Sequence, residues 1–175
     1  MEMNYCMQCG TKLEIREHET EGLTPYCSCC GAYRYPVFNT AVSMIVMNPE
    51  RNRVILIKQY GRPHNVLVAG YVNRGEDAED AVVREVREEI GMTVESLRFN
   101  HSRYYARTNT LMLNFTVTVK EADAQPNWEV DSWRWYGIEE AKREIKPGSL
   151  AAAFLCGYFD GHYDFPDLDV RRDTL

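Results

Sequence analysis

The stretch GYVNRGEDAEDAVVREVREEIGM, residues 70–92, holds seven carboxylates and three arginines in 23 residues. Its chemistry depends on where those acids point. From Asp77 to Ile90 the pattern is helical: Ala78, Val82, Val86 and Ile90 recur every four residues, and Val83 widens the apolar stripe. Glu85 and Glu89 are one turn apart and share a face, with Glu88 beside them. On a wheel of ~100° per residue this acidic stripe lies roughly 100° round from the apolar one, flanking the core. Arg84 and Arg87 point elsewhere and do not fully neutralise the trio. Clustered carboxylates repel, and a hard divalent cation turns that repulsion into coordination. The bland alternative is a solvated helix face. Asp77, Glu79 and Asp80 have a blander role, since acids in a first turn complement the helix dipole.

A second group of residues could hold a different metal. CMQC and CSCC, seventeen residues apart, place two thiolate pairs where they can complete one tetrahedron. The expected ligands are Cys6, Cys9, Cys27 and Cys30. Cys29 offers a competing spacing, but Gly31 follows Cys30 and the two-residue gap favours Cys30. Four thiolates leave no open position, so the zinc would be structural. Cys156, alone in an apolar helix, reads as a core residue.

The elements that must position these groups follow from pattern. Residues 41–47 and 54–60 read as strands, joined by the turn NPERNR. Residues 96–119 are strand-rich and WRWY at 133–136 is another strand. Residues 138–145 form a short helix ended by Pro147 and Gly148. Ser149 caps a helix over LAAAFLCGYF. Mixed strands with few helices read as α+β or as an α/β/α sandwich, and periodicity does not choose between them. The chain of 175 residues, 45% hydrophobic and 26% charged, has the composition of a globular domain with a small appendage. A net charge of −6 excludes a broad nucleic-acid footprint. No apolar run is long enough for a membrane span, and the N-terminus lacks a signal-peptide pattern, so a cytoplasmic, membrane-free protein is expected.

The whole stretch from Gly70 resembles the Nudix box, G-x5-E-x7-R-E-U-x-E-E-x-G-U with U a bulky aliphatic residue. Gly70, Glu76, Arg84, Glu85, Val86, Glu88, Glu89, Gly91 and Met92 stand in register. The resemblance implies an α/β fold, the Nudix α/β/α sandwich with a mixed sheet. It implies Mg2+ or Mn2+ held by Glu85 and Glu89, with Glu88 as ligand or proton acceptor and the Ala69 carbonyl in the metal shell. Glu76 and Arg84 would brace the box through a salt bridge. The implied reaction is hydrolysis of a diphosphate in a nucleoside-diphosphate derivative.

A narrower resemblance is to the zinc-ribbon-containing NADH pyrophosphatase-like subfamily, in a short form without its long N-terminal domain. It implies a zinc ribbon over 1–36, a hydrolase domain over 37–160 and an acidic tail over 161–175. CGAYRYP supplies Tyr35, which in that subfamily contacts substrate. SRYYARTNTLM lies in the register of the subfamily's SQPWPFPxS motif, with Tyr105 for its tryptophan and Thr110 for its last serine. Its prolines and phenylalanine are missing, and Arg103 and Arg107 bring a different chemistry to the position that selects the substrate. EVDSWRWY offers Glu129 as a further metal ligand or base, and PGSLAAAF offers Ala151 for a backbone contact. NAD(H), cleaved to AMP and nicotinamide mononucleotide, is the first substrate implied, with ADP-ribose or FAD next. Removal of a nucleotide cap from RNA would use the same chemistry. A homodimer is expected by analogy alone.

A different class is a Nudix scaffold serving as a nucleotide sensor or a ribbon-based nucleic-acid adaptor. Residues 1–36 carry five acids against three bases, which disfavours the adaptor. The complete set of box carboxylates disfavours a sensor.

Overall fold

A computed structural model describes residues 3–165. The chain divides into two compact units, with the boundary between Phe38 and Asn39. The first unit is a three-stranded antiparallel sheet of β1 (Glu14–His18), β2 (Gly22–Cys27) and β3 (Ala32–Tyr33). Little of it is buried, and Cys6 and Cys27 are its enclosed cysteines.

The second unit contains β4 (Asn39–Met47), β5 (Arg53–Gln59), β6 (Val68–Tyr71), α1 (Ala78–Ile90), β7 (Val94–Tyr105), β8 (Thr110–Val119), β9 (Val130–Gly137), α2 (Ile138–Glu144) and α3 (Leu150–Asp160). Its sheet runs β7-β8-β4-β5-β9, and β6 adds to β4. β4 and β8 are parallel while every other pair is antiparallel, so the sheet is mixed.

The alternation of β4 and β5 explains the layers. Val42, Met44, Val46, Ile55 and Ile57 face one side, against Val82, Val86 and Ile90 of α1. Ile45, Met47, Val54 and Leu56 face the other, against Ala141, Phe154 and Leu155 of α2 and α3. Central strands covered on both faces need apolar side chains at successive positions, which is why AVSMIVM and VILI are continuous runs. Each such valine or isoleucine contributes ~1.5–3 kcal/mol by leaving water. The result is the α/β/α sandwich with a mixed sheet.

The caps follow the local sequence. The Ser149 side chain accepts from the Ala152 amide at the start of α3. Gly91 ends α1 in a left-handed conformation at φ 66°, its amide donating to the Arg87 carbonyl. Val83 departs from the expected stripe and is 43% exposed. It sits at the edge of the arc, and Ala81, on the other side of Val82, is buried instead. The acidic tail expected from residue 161 begins with packed aromatics: Tyr163 lies against Gly157 and Phe165 against Phe154. Residues 166–175 of that tail lie outside the described residues.

Candidate active site

β6 and α1 together form the floor of the site. Ala69 and Gly70 pair with Ser43 and Val42 of β4, which locks their backbone in the sheet. Lacking a side chain, Gly70 lets the Glu85 carboxylate lie against the main chain. Arg84 then ties strand, loop and helix together. Its Nε and Nη2 donate to the two Glu76 oxygens at 2.7 and 2.9 Å, and Nη2 also donates to the Tyr71 carbonyl at 2.9 Å. Its Nη1 donates to Glu85 at 2.6 Å and to Glu88 at 3.1 Å. Arg84 therefore does face the acids, contrary to the wheel reading: Glu88 stands one turn on, and the long guanidinium fork also spans Glu85 and Glu76. The Arg84 guanidinium, helped by the Asn73 amide, holds the Glu76 carboxyl down at about 2.

Glu89 is the unusual member. On the helix it lies ~20° from Val82, within the apolar arc and not beside it. It is 3% exposed, and its Oε2 is buried with no hydrogen-bond partner. Burial pushes its pKa up to about 7, against the opposing pull of the Gln59 side chain and the Ala69 backbone, and the nearby charges of Glu85 and Glu129 act in the same direction as burial. Glu88 lies ~120° from Val82, further round on the same side. Its side chain is 57% exposed and bound to Arg84.

Glu129 arrives from far along the chain. The Gln125 amide donates to the Ile90 carbonyl at 2.8 Å and the Asn127 amide to the Glu89 carbonyl at 3.1 Å. The unpaired carbonyls at the end of α1 thus anchor the segment before β9. Asn127 Oδ1 accepts from the Glu129 amide at 2.9 Å. Glu129 consequently shares one cavity wall with Glu85 and Glu89, together with Ala69 and Gly70. This cavity has a volume of about 480 Å³.

The donor set suits a hard cation. Carboxylates and a backbone carbonyl are the ligands that Mg2+ and Mn2+ prefer. A buried carboxylate oxygen without a partner, flanked by two like charges, is the arrangement such an ion would satisfy. A glycine whose Cβ would fill the space adds to the fit.

The other expected residues are divided. Tyr105 and Thr110 line the carboxylate cavity, with Thr108 between them. Arg103 and Arg107 are not in its wall. The Arg103 guanidinium lies over the Phe165 ring, 5.2 Å from its centroid, and Arg107 is exposed on the 3-10 turn Ala106–Thr108. Alternation along β7 sends Tyr105 and Arg103 to the same side of the sheet, but Arg103 is spent on the aromatic ring. Ala151 lines a second, neighbouring cavity. Tyr35 belongs to the first unit and is 53% exposed.

Sequence reasoning missed Tyr60, which lines both cavities, and the basic residues Arg62, His64 and Lys146. A signal existed. GRPHN follows a buried strand and concentrates Arg and His in an acidic chain.

In the first unit, the sulfur atoms of Cys6, Cys9, Cys27 and Cys30 all lie within 4.8 Å of one another. The Cys6–Cys30 and Cys9–Cys27 separations are 3.9 and 3.5 Å. Thiolates at ~2.3 Å from a tetrahedral zinc stand about 3.8 Å apart, so the four fit that ion. Arg34 Nε donates to Cys6 Sγ at 3.2 Å, which lowers the Cys6 pKa, and the Cys30 amide donates to Cys27 Sγ at 3.3 Å. Cys29 is exposed and outside the group.

Comparison with known proteins places this geometry. Residues 37–154 match the model of the NUDIX domain. A Pseudomonas aeruginosa protein named NAD-capped RNA hydrolase NudC is 31% identical over 138 residues, covering 77% of this chain and 48% of that one. Its Vibrio parahaemolyticus namesake is 26% identical over 157 residues, covering 87% and 58%. The chain spans about half the length of these curated relatives. Among solved structures, a NUDIX hydrolase from Nitrosomonas europaea superposes with a TM-score of 0.61 at 21% identity, covering 93% of this chain and 96% of that one. A NUDIX-family hydrolase from Clostridium perfringens does so at 0.56 and 17%, covering 69% and 93%. These two share the sandwich. The matched span contains Gly70, the whole of α1 and Glu129, and the chain belongs to the NUDIX domain family.

Proposed function

We propose that this chain hydrolyses the diphosphate linkage of a nucleoside-diphosphate derivative, with Mg2+ or Mn2+ held by Glu85, Glu89, Glu129 and the Ala69 carbonyl. The observation that carries this reading is Glu89. An anion buried beside two other anions is costly unless something positive joins it. When bound, a divalent cation would neutralise charge on the diphosphate and activate water.

The chain's own residues do the rest. Gly70 and Arg84 fix the Glu85 carboxylate against β6. Glu76, held ionised by Arg84, keeps the loop before the helix in place. Glu129, on a segment separate from the helix, completes the carboxylate set of Glu85 and Glu89. Glu88, the ligand or proton acceptor that the family resemblance implies, here holds Arg84 from the solvent side. Tyr105 and Thr110 border the substrate. The cysteine cluster holds a structural Zn2+.

NAD(H), giving AMP and nicotinamide mononucleotide, is the proposed substrate, free or as the 5′ cap of an RNA. The names of the curated relatives support it. A substrate panel with product mass analysis tests it. If NADH and NAD+ stay intact while ADP-ribose or FAD is cleaved, the substrate assignment fails and the diphosphatase reading stands. If no diphosphate is cleaved with Mg2+ or Mn2+, the reading itself fails.

A further inference from the structure

Beside the carboxylate cavity lies a second one of about 270 Å³, sharing Tyr60, Ala69 and Met112 with it. Its apolar side is Val66, Leu67, Leu150 and Phe154. Its basic side chains are Arg62, His64 and Lys146, and its wall has no carboxylate. For a chain of net charge −6 this is a local reversal of sign. Among the described residues, neither Arg62 nor Lys146 is in a salt bridge.

The backbone brings these groups together. Asn65, 8% exposed, accepts from the Lys146 amide at 2.9 Å and donates through Nδ2 to the Glu144 carbonyl at 3.1 Å. That pair of bonds staples the loop after β5 to the segment after α2. Tyr60 and Gly61 turn the loop with left-handed backbones at φ 55° and 66°. A tyrosine rarely adopts that conformation, and strain of this kind collects at ligand sites. The far end of the cavity is the first turn of α3, where the Leu150 and Ala151 amides have no intrahelical acceptor.

We infer that this cavity is a subsite for a further phosphate of the substrate, outside the cleaved diphosphate. The inference rests on the diphosphatase reading above. The diphosphate has its own positive partner in the cation at Glu85 and Glu89. Three more basic groups next door match an additional phosphate, carried by a nucleoside that spans the shared Tyr60–Met112 wall. The substrate class is a nucleoside-diphosphate derivative whose ribose bears either a phosphomonoester or the first phosphodiester of an oligonucleotide. Both present non-bridging phosphate oxygens to Arg62 and Lys146, three from the monoester and two from the diester.

The test is a calorimetric titration of the full chain without divalent metal, using AMP, adenosine 3′,5′-bisphosphate and the dinucleotide pApA as probes. The bisphosphate or pApA should bind at least ~10-fold tighter than AMP at low salt, with an advantage that shrinks as salt rises. Tighter binding of the bisphosphate identifies a monoester ligand, and tighter binding of pApA a diester. In the double variant Arg62→Ala, Lys146→Ala the ratio to AMP should fall to about one, whereas Arg62→Lys should keep part of it. A merely structural role would weaken all three probes together and leave the ratio intact. Equal affinities in the unmodified chain, or an advantage that survives in the double variant, overturns the inference. A protein inert on every dinucleotide yet selective for the second phosphate would refute the diphosphatase reading and keep this one. The converse result would do the opposite.

Discussion

The Glu85 carboxylate lies against the bare backbone of Gly70, so close that a Cβ on Gly70 would overlap it. Gly70 sits mid-strand, hydrogen-bonded into the sheet opposite Val42, and cannot retreat. Gly70→Ala should therefore displace Glu85 and leave the sheet standing. Diphosphate hydrolysis should fall at least ~10²-fold, with weaker metal binding and an unchanged far-UV dichroism spectrum. Full activity in the variant would show that Glu85 does not need this position.

Glu89→Gln should cut turnover at least ~10²-fold with the fold intact. Near-normal activity would remove Glu89 from the metal site. Its titration adds a second readout. The folded pKa of about 7 lies above the ordinary 4.5. In the metal-free protein the stabilising contribution of the neutral acid is complete below 4.5 and is lost as pH rises through 7. A cation must displace that proton, so the melting-temperature gain from Mg2+ or Mn2+ should be larger at pH 8 than at pH 6. In Glu89→Gln that difference should shrink, which differential scanning calorimetry can measure.

Glu76 titrates in the other direction. Arg84 holds its folded pKa at about 2, below the ordinary 4.5. Its stabilising contribution is present above 4.5 and is lost as pH falls through 2. Glu76→Gln should be less stable than the unmodified chain at neutral pH, and the gap should close on acidification. A gap that is constant with pH in urea titrations would deny the ion pair its role.

The cysteine cluster makes an analytical prediction. Elemental analysis should find one zinc per chain. Cys27→Ser should lose it, whereas Cys29→Ser should retain it, since Cys29 lies outside the four-sulfur group. Loss of zinc in both variants would mean that Cys29 is a ligand.

Much of this protein was legible from local pattern. The spacing of Val82, Val86 and Ile90 marks α1, Ser149 marks the start of α3, and doubled CxxC turns mark the cysteine cluster. Each is a short-range relation, set by helical repeat, capping chemistry or the reach of a tight turn. Glu85 and Glu89 share a face for the same reason.

What only the tertiary structure decided is which charged groups meet. Glu88 and Glu89 are adjacent in sequence, yet one turns to solvent with Arg84 and the other enters the core. The sheet, not the helix, chooses which arc of α1 is covered. Glu129 joins Glu85 and Glu89 because the end of α1 presents unpaired carbonyls to the segment at 125–127. Arg62, His64 and Lys146 face one cavity because buried Asn65 bonds two distant loops. Such meetings depend on packing and on the satisfaction of buried polar groups across the whole domain, and no local periodicity encodes them.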